Sequence, residues 1–371
     1  MISFSPTEEQ QMTVDTLKRF AADEMRKIYR ECDETGQIPE EIITRAWRFG
    51  LIAGSIPSQY GGFGERSAVT GVLVAEELAW GDLSIALHIL CPALAAFPVL
   101  GAGTGDQKKA FLPLFCNDAY YPATAALIEP RFLFDPRNLS TAARRDGGDY
   151  ILSGEKCYVP LVSNAELLLV YAADRGDEGA TQCFIIENPR DTGGITLGER
   201  EKNMGIKALA TYELTLRDVR VPGTSRLGGE AGCDFTRILN YSKTALAAMA
   251  VGVARAAYEY ALNYARERHA FGEPIASRQA IAFMLAEMAI EIDATRFMAW
   301  EAAWQLDRGI DSKAETKASS LVKGYADDMV ITVTDRAVQV MGGHGYIRDH
   351  PVELWLRNGR GFPAFEGMAT V

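Results

Sequence analysis

The spacing of apolar residues divides the chain into three zones. From residue 5 to about 118, apolar residues recur at helical spacing. From about 120 to 225, short β-rich runs alternate with Gly, Asp and Pro turns. From about 229 the helical period returns in three long segments, 233–268, 274–309 and 311–341. Long helices side by side are typical of a bundle, so the order helical, β, helical predicts three successive domains.

The predicted fold class is α+β and mostly α. It has an N-terminal helical domain at 1–119, a β-barrel-like middle domain at 120–228 and a C-terminal four-helix bundle at 229–371. GAGTGD at 101–106 looks like a dinucleotide-binding loop, but it follows a helical run rather than a strand. We therefore predict a connection between helices there, with Thr104 as an N-cap.

Composition and charge narrow the function classes. The net charge of -11 argues against nucleic acid as a partner, so an anionic substrate must meet locally placed Arg or Lys. The six cysteines and four histidines show no metal-ligand spacing, so no metal site and no disulfide are expected. The N-terminus lacks an apolar signal core, and no segment reaches the length of a spanning helix. We expect a cytoplasmic protein without a membrane span.

Two phrases in the C-terminal zone carry the candidate chemistry. AVQVMGGHGY at 337–346 holds closely spaced glycines, which let the backbone approach a bulky ligand. An isolated carboxylate, Glu366, follows in PAFEGM, and the second phrase is YARERHAFGEPIASRQAIAFMLAEM at 264–288. Together these phrases resemble the acyl-CoA dehydrogenase family of FAD enzymes. Further phrases occur in the family's order, namely FSPTEEQ, IPSQYGGFG, VAEEL, IEP, GEKCYV, MGI and VRVP.

The resemblance implies an FAD site shared between subunits. Arg268, Phe271 and Gln279 match residues that hold the pyrophosphate and adenosine end of the FAD of a neighbouring subunit. A guanidinium suits a diphosphate because it donates bidentate, charge-assisted hydrogen bonds. Gln339, Gly342 and Gly343 match contacts to the FAD of the adjacent protomer. The resemblance therefore implies a homodimer at least, with a dimer of dimers as the expected assembly.

Glu366 matches the family's catalytic base. The implied reaction removes the α-proton of a saturated acyl-CoA while a hydride leaves the β-carbon for flavin N5, which gives the trans-2-enoyl-CoA. A carboxylate desolvated by apolar neighbours has a raised pKa, and we expect Phe362, Pro363 and Phe365 to supply that surrounding. The Glu366 N–H would polarise the thioester oxygen.

Two further positions complete the implied substrate site. Lys243 and Gly367, with Phe365, match substrate contacts. Some family members carry the base at the position of Ser242 instead. A serine without a partner cannot act as that base, which favours Glu366.

The sequence departs from the family at the flavin contacts. Leu127, Ile128, Tyr158 and Pro160 stand at cofactor-binding positions, and of these Tyr158 keeps the family's aromatic ring, which is able to stack on the flavin. Ile128 replaces the usual Thr before Glu-Pro, and Pro160 replaces a Thr that would hydrogen-bond flavin N5. Proline offers neither a hydroxyl nor an N–H. The small residues that usually follow Glu-Pro are replaced by Arg131 to Asp135.

These departures leave two hypotheses open. In the first, the chain is a dehydrogenase that binds FAD and passes electrons to electron transfer flavoprotein. In the second, it is a non-redox member that binds acyl thioesters or completes the site of another chain. Retention of both Arg268 and Glu366 favours the first. Acyl chain length, and the choice between CoA and an acyl carrier protein, stay open.

Overall fold

The computed structural model describes residues 3–176 and 179–371. The first zone is helical, as predicted, and Thr104 caps α7 with a capping box to Gln107. Its helices are α1 (Glu8–Phe20), α2 (Arg26–Thr35), α3 (Glu40–Trp47), α4 (Ala68–Gly81), α5 (Leu83–Leu90), α6 (Ala93–Ala102) and α7 (Gly105–Phe111). The connection at 103–104 therefore joins two helices and is not a dinucleotide loop.

The middle zone forms one curled sheet. Its strands are β1 (Ala123–Ala126), β2 (Ala142–Asp146), β3 (Asp149–Pro160), β4 (Leu167–Asp174), β5 (Thr181–Glu187), β6 (Ile195–Arg200) and β7 (Thr211–Pro222). The strand order is β1-β4-β2-β3-β7-β6, with β5 paired to β4. β1 runs parallel to β4, whereas β3 and β7 form a long antiparallel pair with two bulges. Bulges bend a strand and re-aim its side chains, so the end of β3 turns towards the helical domains.

Three long helices dominate the C-terminal zone. The elements are α8 (Phe235–Glu267), the hairpin strands β8 (His269–Ala270) and β9 (Glu273–Pro274), α9 (Gln279–Arg308), α10 (Ser312–Met341), α11 (Gly343–Tyr346) and α12 (Val352–Gly359). α9 begins five residues later than predicted because the β8–β9 hairpin and a 3-10 turn at Ile275–Ser277 occupy the interval.

An ionic cluster joins the first zone to the bundle. Arg255 of α8 donates to Glu76 and Glu77 of α4, each at 2.7 Å, and Arg296 of α9 donates to Glu76 at 3.1 Å. Glu76 and Glu77 are buried. Because buried carboxylates need charged partners, this cluster explains the acidic pair of the VAEEL phrase and fixes α4 between α8 and α9.

None of the described helices is by itself long and apolar enough to cross a bilayer. The pair α5 and α6, bent by 43° at the break between them, would qualify together by length and composition only.

Candidate functional site

Glu366 follows a short apolar turn at the end of the chain. The turn is the 3-10 segment Phe362–Ala364, in which Phe362 is fully buried. The Phe365 ring packs edge-on against Phe362, with ring centroids 5.6 Å apart, and lies so close to Gly361 that a Cβ there would come within 2.0 Å. The expectation that Pro363 also shields the carboxylate is wrong, because Pro363 points to the exposed side of the turn.

The Glu366 carboxylate lies in a desolvated position. Its Oε1 atom is buried and has no hydrogen-bond partner among the described residues. Burial raises the pKa of Glu366 above its ordinary value, and the positive charges of Lys323 and Lys243 offset part of that rise. The backbone N–H of Glu366 also has no acceptor within 3–176 and 179–371. A basic carboxylate and a free amide donor therefore stand side by side.

Gly367 fixes the direction of the chain after the base. Its φ of 78° lies in the left-handed region, and a Cβ there would lie 2.5 Å from Cδ2 of Leu127. The Gly367 N–H donates to the Ser242 hydroxyl oxygen at 3.1 Å. Leu127, Ser242 and Gly367 therefore meet, although they come from the end of β1, from α8 and from the C-terminal turn.

Two lysines place positive charge near the base. Lys323 of α10 is buried, and its Nζ donates to both carboxylate oxygens of Asp327 and to the Phe362 carbonyl at 3.1 Å. Lys243 of α8 is half-buried and donates to Ser320 at 3.2 Å. The sequence analysis did not identify Lys323 as a residue of the site. Its i,i+4 spacing from Asp327 could have indicated it, but the same spacing is typical of ion pairs on an exposed helix face.

The end of β3 faces the same region with an irregular backbone. Tyr158 has φ 52° and sits in the bulge between Lys156 and Val159. Its N–H donates to Glu201 at 3.0 Å, whereas the second carboxylate oxygen of Glu201 is buried without a partner among the described residues. The Pro160 carbonyl accepts a hydrogen bond from the Thr124 hydroxyl at 2.7 Å. Backbone strain of this kind is typical of ligand contacts.

A buried ion pair connects two of the sequence phrases. Lys156 of GEKCYV is fully buried, and its Nζ lies 3.1 Å from Glu129 of IEP and 2.9 Å from the Leu127 carbonyl. Burial lowers the pKa of Lys156 to about 8 against the attraction of Glu129. The Ile128 carbonyl accepts from Cys157 N–H at 2.9 Å. These contacts hold Leu127 and Ile128 beside β3, a role that sequence reasoning did not assign to Lys156.

The other predicted cofactor residues form an exposed surface at the hairpin end of the bundle. All six are exposed, namely Arg268, Phe271, Gln279, Gln339, Gly342 and Gly343. The Tyr264 hydroxyl lies 2.6 Å from His344 Nδ1, which joins the end of α8 to the glycine segment. Among the described residues, no hydrogen bond or ion pair connects these six to Glu366.

The chemistry of these residues fits FAD. Gly342 adopts φ 58° and ψ -130°, and neither it nor Gly343 has any heavy atom within 4 Å of a built Cβ, so the backbone is open to a bulky group. Arg268 supplies a guanidinium for a diphosphate. The second carboxylate oxygen of Glu201, beside the bulge at Tyr158, accepts no hydrogen bond from any residue that the structure describes. Pro160 does not fit the cofactor, because proline has no group that can donate a hydrogen bond to the flavin.

Two cavities lie between α6, α8 and the residues that follow the base. A small one of about 20 Å³ is lined by Leu127, Ser242 and Gly367 together with apolar residues of α6 and α8. A larger one of about 340 Å³ shares Pro98 and Ile238 with it. Within the described residues, no group of three or more His, Cys, Asp or Glu could hold a metal ion.

Comparisons with known proteins match the whole chain. Three family models match in order: the acyl-CoA dehydrogenase N-terminal domain at 7–118, middle domain at 124–219 and C-terminal domain at 234–371. Probable acyl-CoA dehydrogenase YngJ of Bacillus subtilis is 33% identical over 376 residues, which cover 100% of this chain and 97% of that protein.

Solved structures agree with these matches. The structure of butyryl-CoA dehydrogenase from Megasphaera elsdenii superposes with a TM-score of 0.88 at 29% sequence identity. The match covers 100% of this chain and 96% of the butyryl-CoA dehydrogenase chain. The structure of the prolyl acyl carrier protein oxidase AnaB superposes with a TM-score of 0.87 at 25% sequence identity, and the match covers 99% of this chain and 96% of the AnaB chain.

Proposed function

The chain belongs to the acyl-CoA dehydrogenase family, and from that premise we propose that it converts a saturated acyl thioester to the trans-2-enoyl thioester with Glu366 as the base. One observation carries the proposal. Within the part of the chain that the structure describes, Glu366 presents a desolvated carboxylate oxygen without a hydrogen-bond partner, beside its own N–H, which also has no acceptor there. A base with a raised pKa is suited to a weakly acidic carbon, and the N–H is suited to the negative charge that develops on the thioester oxygen.

The residues around Glu366 have separate tasks in this reaction. The carboxylate takes the α-proton, while Phe365 keeps water from the carboxylate. Gly367 and Leu127 set the position of the carboxylate, and Lys243 orients the polar part of the substrate. Bound FAD would accept the hydride equivalent that leaves the β-carbon. The reaction balances because the substrate loses one proton and one hydride. Its products are the enoyl thioester, protonated Glu366 and a cofactor reduced by the two electrons of the hydride.

We further propose that FAD is held between two copies of the chain. Tyr158 and Ile128 would flank the flavin of their own chain. The six exposed residues around Arg268, described above, would bind the cofactor of the partner chain. A second feature supports the assembly: Phe283, Ile290 and Phe297 lie exposed along α9 at seven-residue spacing. An exposed apolar stripe of this kind is typical of a subunit interface. Ile290→Glu should dissociate the protein and release flavin together, as gel filtration with absorbance detection would show.

The non-redox alternative keeps one supporting observation. Pro160 cannot donate a hydrogen bond, and its carbonyl is engaged by Thr124, so β3 offers the flavin no donor at this position. The visible spectrum of the purified protein separates the two hypotheses. A flavin spectrum that an acyl-CoA bleaches without oxygen supports the dehydrogenase. A colourless protein that stays colourless after FAD is supplied supports the non-redox member.

The base is tested by Glu366→Gln. This variant should keep its flavin and lose at least about a hundredfold in dehydrogenation, the usual size of a general-base contribution. Anaerobic flavin bleaching gives the rate directly, and electron transfer flavoprotein is the acceptor that we propose for turnover. Normal bleaching by the variant would contradict the role of Glu366.

A further inference from the structure

The loop between Pro130 and β2 holds large apolar side chains in solvent. Phe132 is 93% exposed and Leu133 is 84% exposed, with a left-handed φ of 53° at Leu133. The Arg131 guanidinium donates to the carbonyl of Asn138 and, at 3.0 Å, to the Ser140 hydroxyl. The loop is therefore closed by its own hydrogen bonds while it presents Phe132 and Leu133 outwards. Such exposure is costly unless a partner covers it.

A cationic groove begins at the same loop. Arg137 lines a cavity of about 850 Å³ together with the loop before α10 and the first turns of α10. The other charged lining residues are Asp234, Arg237, Lys313, Glu315 and Lys317. Cations outnumber carboxylates by four to two in this groove, although the chain as a whole has a net charge of -11. Ile310, 71% exposed, lies on its rim.

Two lining residues of the groove, Ser320 and Arg137, connect it to the surroundings of the base. Ser320 lines the groove and accepts a hydrogen bond from Lys243 at 3.2 Å. Lys243 follows Ser242, which holds Gly367. Arg137 and Lys243 both act electrostatically on Glu366. The groove therefore lies close enough to the carboxylate for Arg137 to act on it electrostatically.

We propose, on the basis of the dehydrogenation proposed above, that this groove and the loop at 131–140 form the docking surface for a small acidic carrier protein that presents the acyl group on a phosphopantetheine arm. Cations alone would suit the phosphates of a nucleotide equally well. Phe132, Leu133 and Ile310 decide between the two, because exposed apolar side chains around a cationic centre fit the face of a protein and add nothing to phosphate binding. Opposite charges would also steer the acidic carrier to the groove.

The test compares one acyl group on three carriers. A panel of short saturated acyl groups is loaded on an acyl carrier protein, on CoA and on pantetheine, and kcat/KM is measured for each. In the wild type we expect the carrier protein to give the highest kcat/KM. Phe132→Ser combined with Leu133→Ser should lower the ratio of kcat/KM for the carrier-protein substrate to kcat/KM for the pantetheine substrate at least about tenfold. Met12→Ser, at a residue 64% exposed on α1, is the matched control and should change none of the three.

Charge reversal tests the groove itself. Lys313→Glu with Lys317→Glu should weaken turnover of the carrier-bound substrate and leave the uncharged pantetheine thioester unaffected, since only the former presents carboxylates. A wild type that prefers CoA, or a loop variant that loses all three substrates equally, would overturn the inference. Loss of the oligomer in the loop variant would assign the surface to a second copy of the chain instead. No turnover with any thioester would overturn the proposed dehydrogenation, and this inference with it.

Discussion

The Ser242 hydroxyl oxygen accepts a hydrogen bond from the Gly367 N–H at 3.1 Å, which ties α8 to the residue after the candidate base. Ser242 is buried, so no water replaces this bond if it is lost. A buried donor left without a partner costs about 1–3 kcal/mol. The position where some family members carry a base therefore has a different use in this chain: it positions Glu366.

Ser242→Ala should lower kcat about tenfold and leave KM nearly unchanged, because the freed Gly367 backbone no longer holds the carboxylate in one place. Ser242→Thr keeps the acceptor and should restore most of the rate. Steady-state kinetics with a thermal melt of each variant separate positioning from folding. A lower melting temperature with normal kcat in the alanine variant would contradict the positioning role.

Glu366→Gln should also stabilise the protein at neutral pH. Burial raises the folded-state pKa of Glu366, so its ionisation destabilises the fold progressively as the pH rises from the ordinary pKa to the raised one. The neutral glutamine has no such penalty. The stability advantage of the variant should therefore be largest at high pH and vanish as the pH falls below the ordinary glutamate pKa of about 4.3. Urea unfolding at several pH values measures it; a pH-independent difference would mean that the carboxylate is solvated.

Sequence periodicity predicted most of the fold because long amphipathic helices and apolar strands are locally determined. Two strands lack this local signal. β2 reads AARRD and β6 reads ITLGER, and each is only partly buried, so neither has the apolar run that marks a buried strand. Their pairing with β3, β4 and β7 comes from the sheet and not from their own residues.

The candidate site was only partly predictable. The resemblance supplied Glu366, Lys243 and Leu127, but not the burial of Lys323 or the contact between Leu127 and Gly367, which depend on how β1, α8 and α10 pack. Pro363 shows the same limit, because apolar character alone does not tell which side of a turn faces solvent. The cofactor role proposed for the exposed set around Arg268 involves a second chain, and one sequence does not tell where that chain lies.

Lys243→Met should shift the pH dependence of the reaction. The Lys243 charge lowers the pKa of Glu366, so its removal raises that pKa and leaves less ionised base at a given pH. The acid limb of kcat/KM should move to higher pH. Lys109→Met removes an exposed cation on α7 and should leave the profile in place. An unmoved acid limb in the Lys243 variant would contradict the electrostatic contact.

Asp33→Asn should weaken the contact between α2 and α12. Burial raises the pKa of Asp33, but the hydrogen bonds and charge of Arg357, at 2.8 and 2.9 Å, outweigh it and hold the pKa below its usual value. Breaking such a buried pair costs about 3 kcal/mol. Since the folded-state pKa is lowered, the loss should be complete above about pH 4 and disappear in stronger acid. Denaturant unfolding measures it, with exposed Asp23→Asn as the control; equal losses in both would contradict the assignment.

Pro160→Thr tests whether the missing donor at the end of β3 limits the flavin chemistry. The Pro160 carbonyl is held by Thr124, so the backbone should stay in place when the side chain changes. A threonine hydroxyl would then reach the position where the family has a donor, and we expect flavin reduction by the acyl thioester to accelerate about tenfold, since one well-placed donor is worth at least that much. Valine has nearly the shape of threonine but no hydroxyl, so Pro160→Val should not accelerate flavin reduction. If valine and threonine raise the anaerobic reduction rate equally, the constraint of the proline ring, and not the absent donor, limits the reaction.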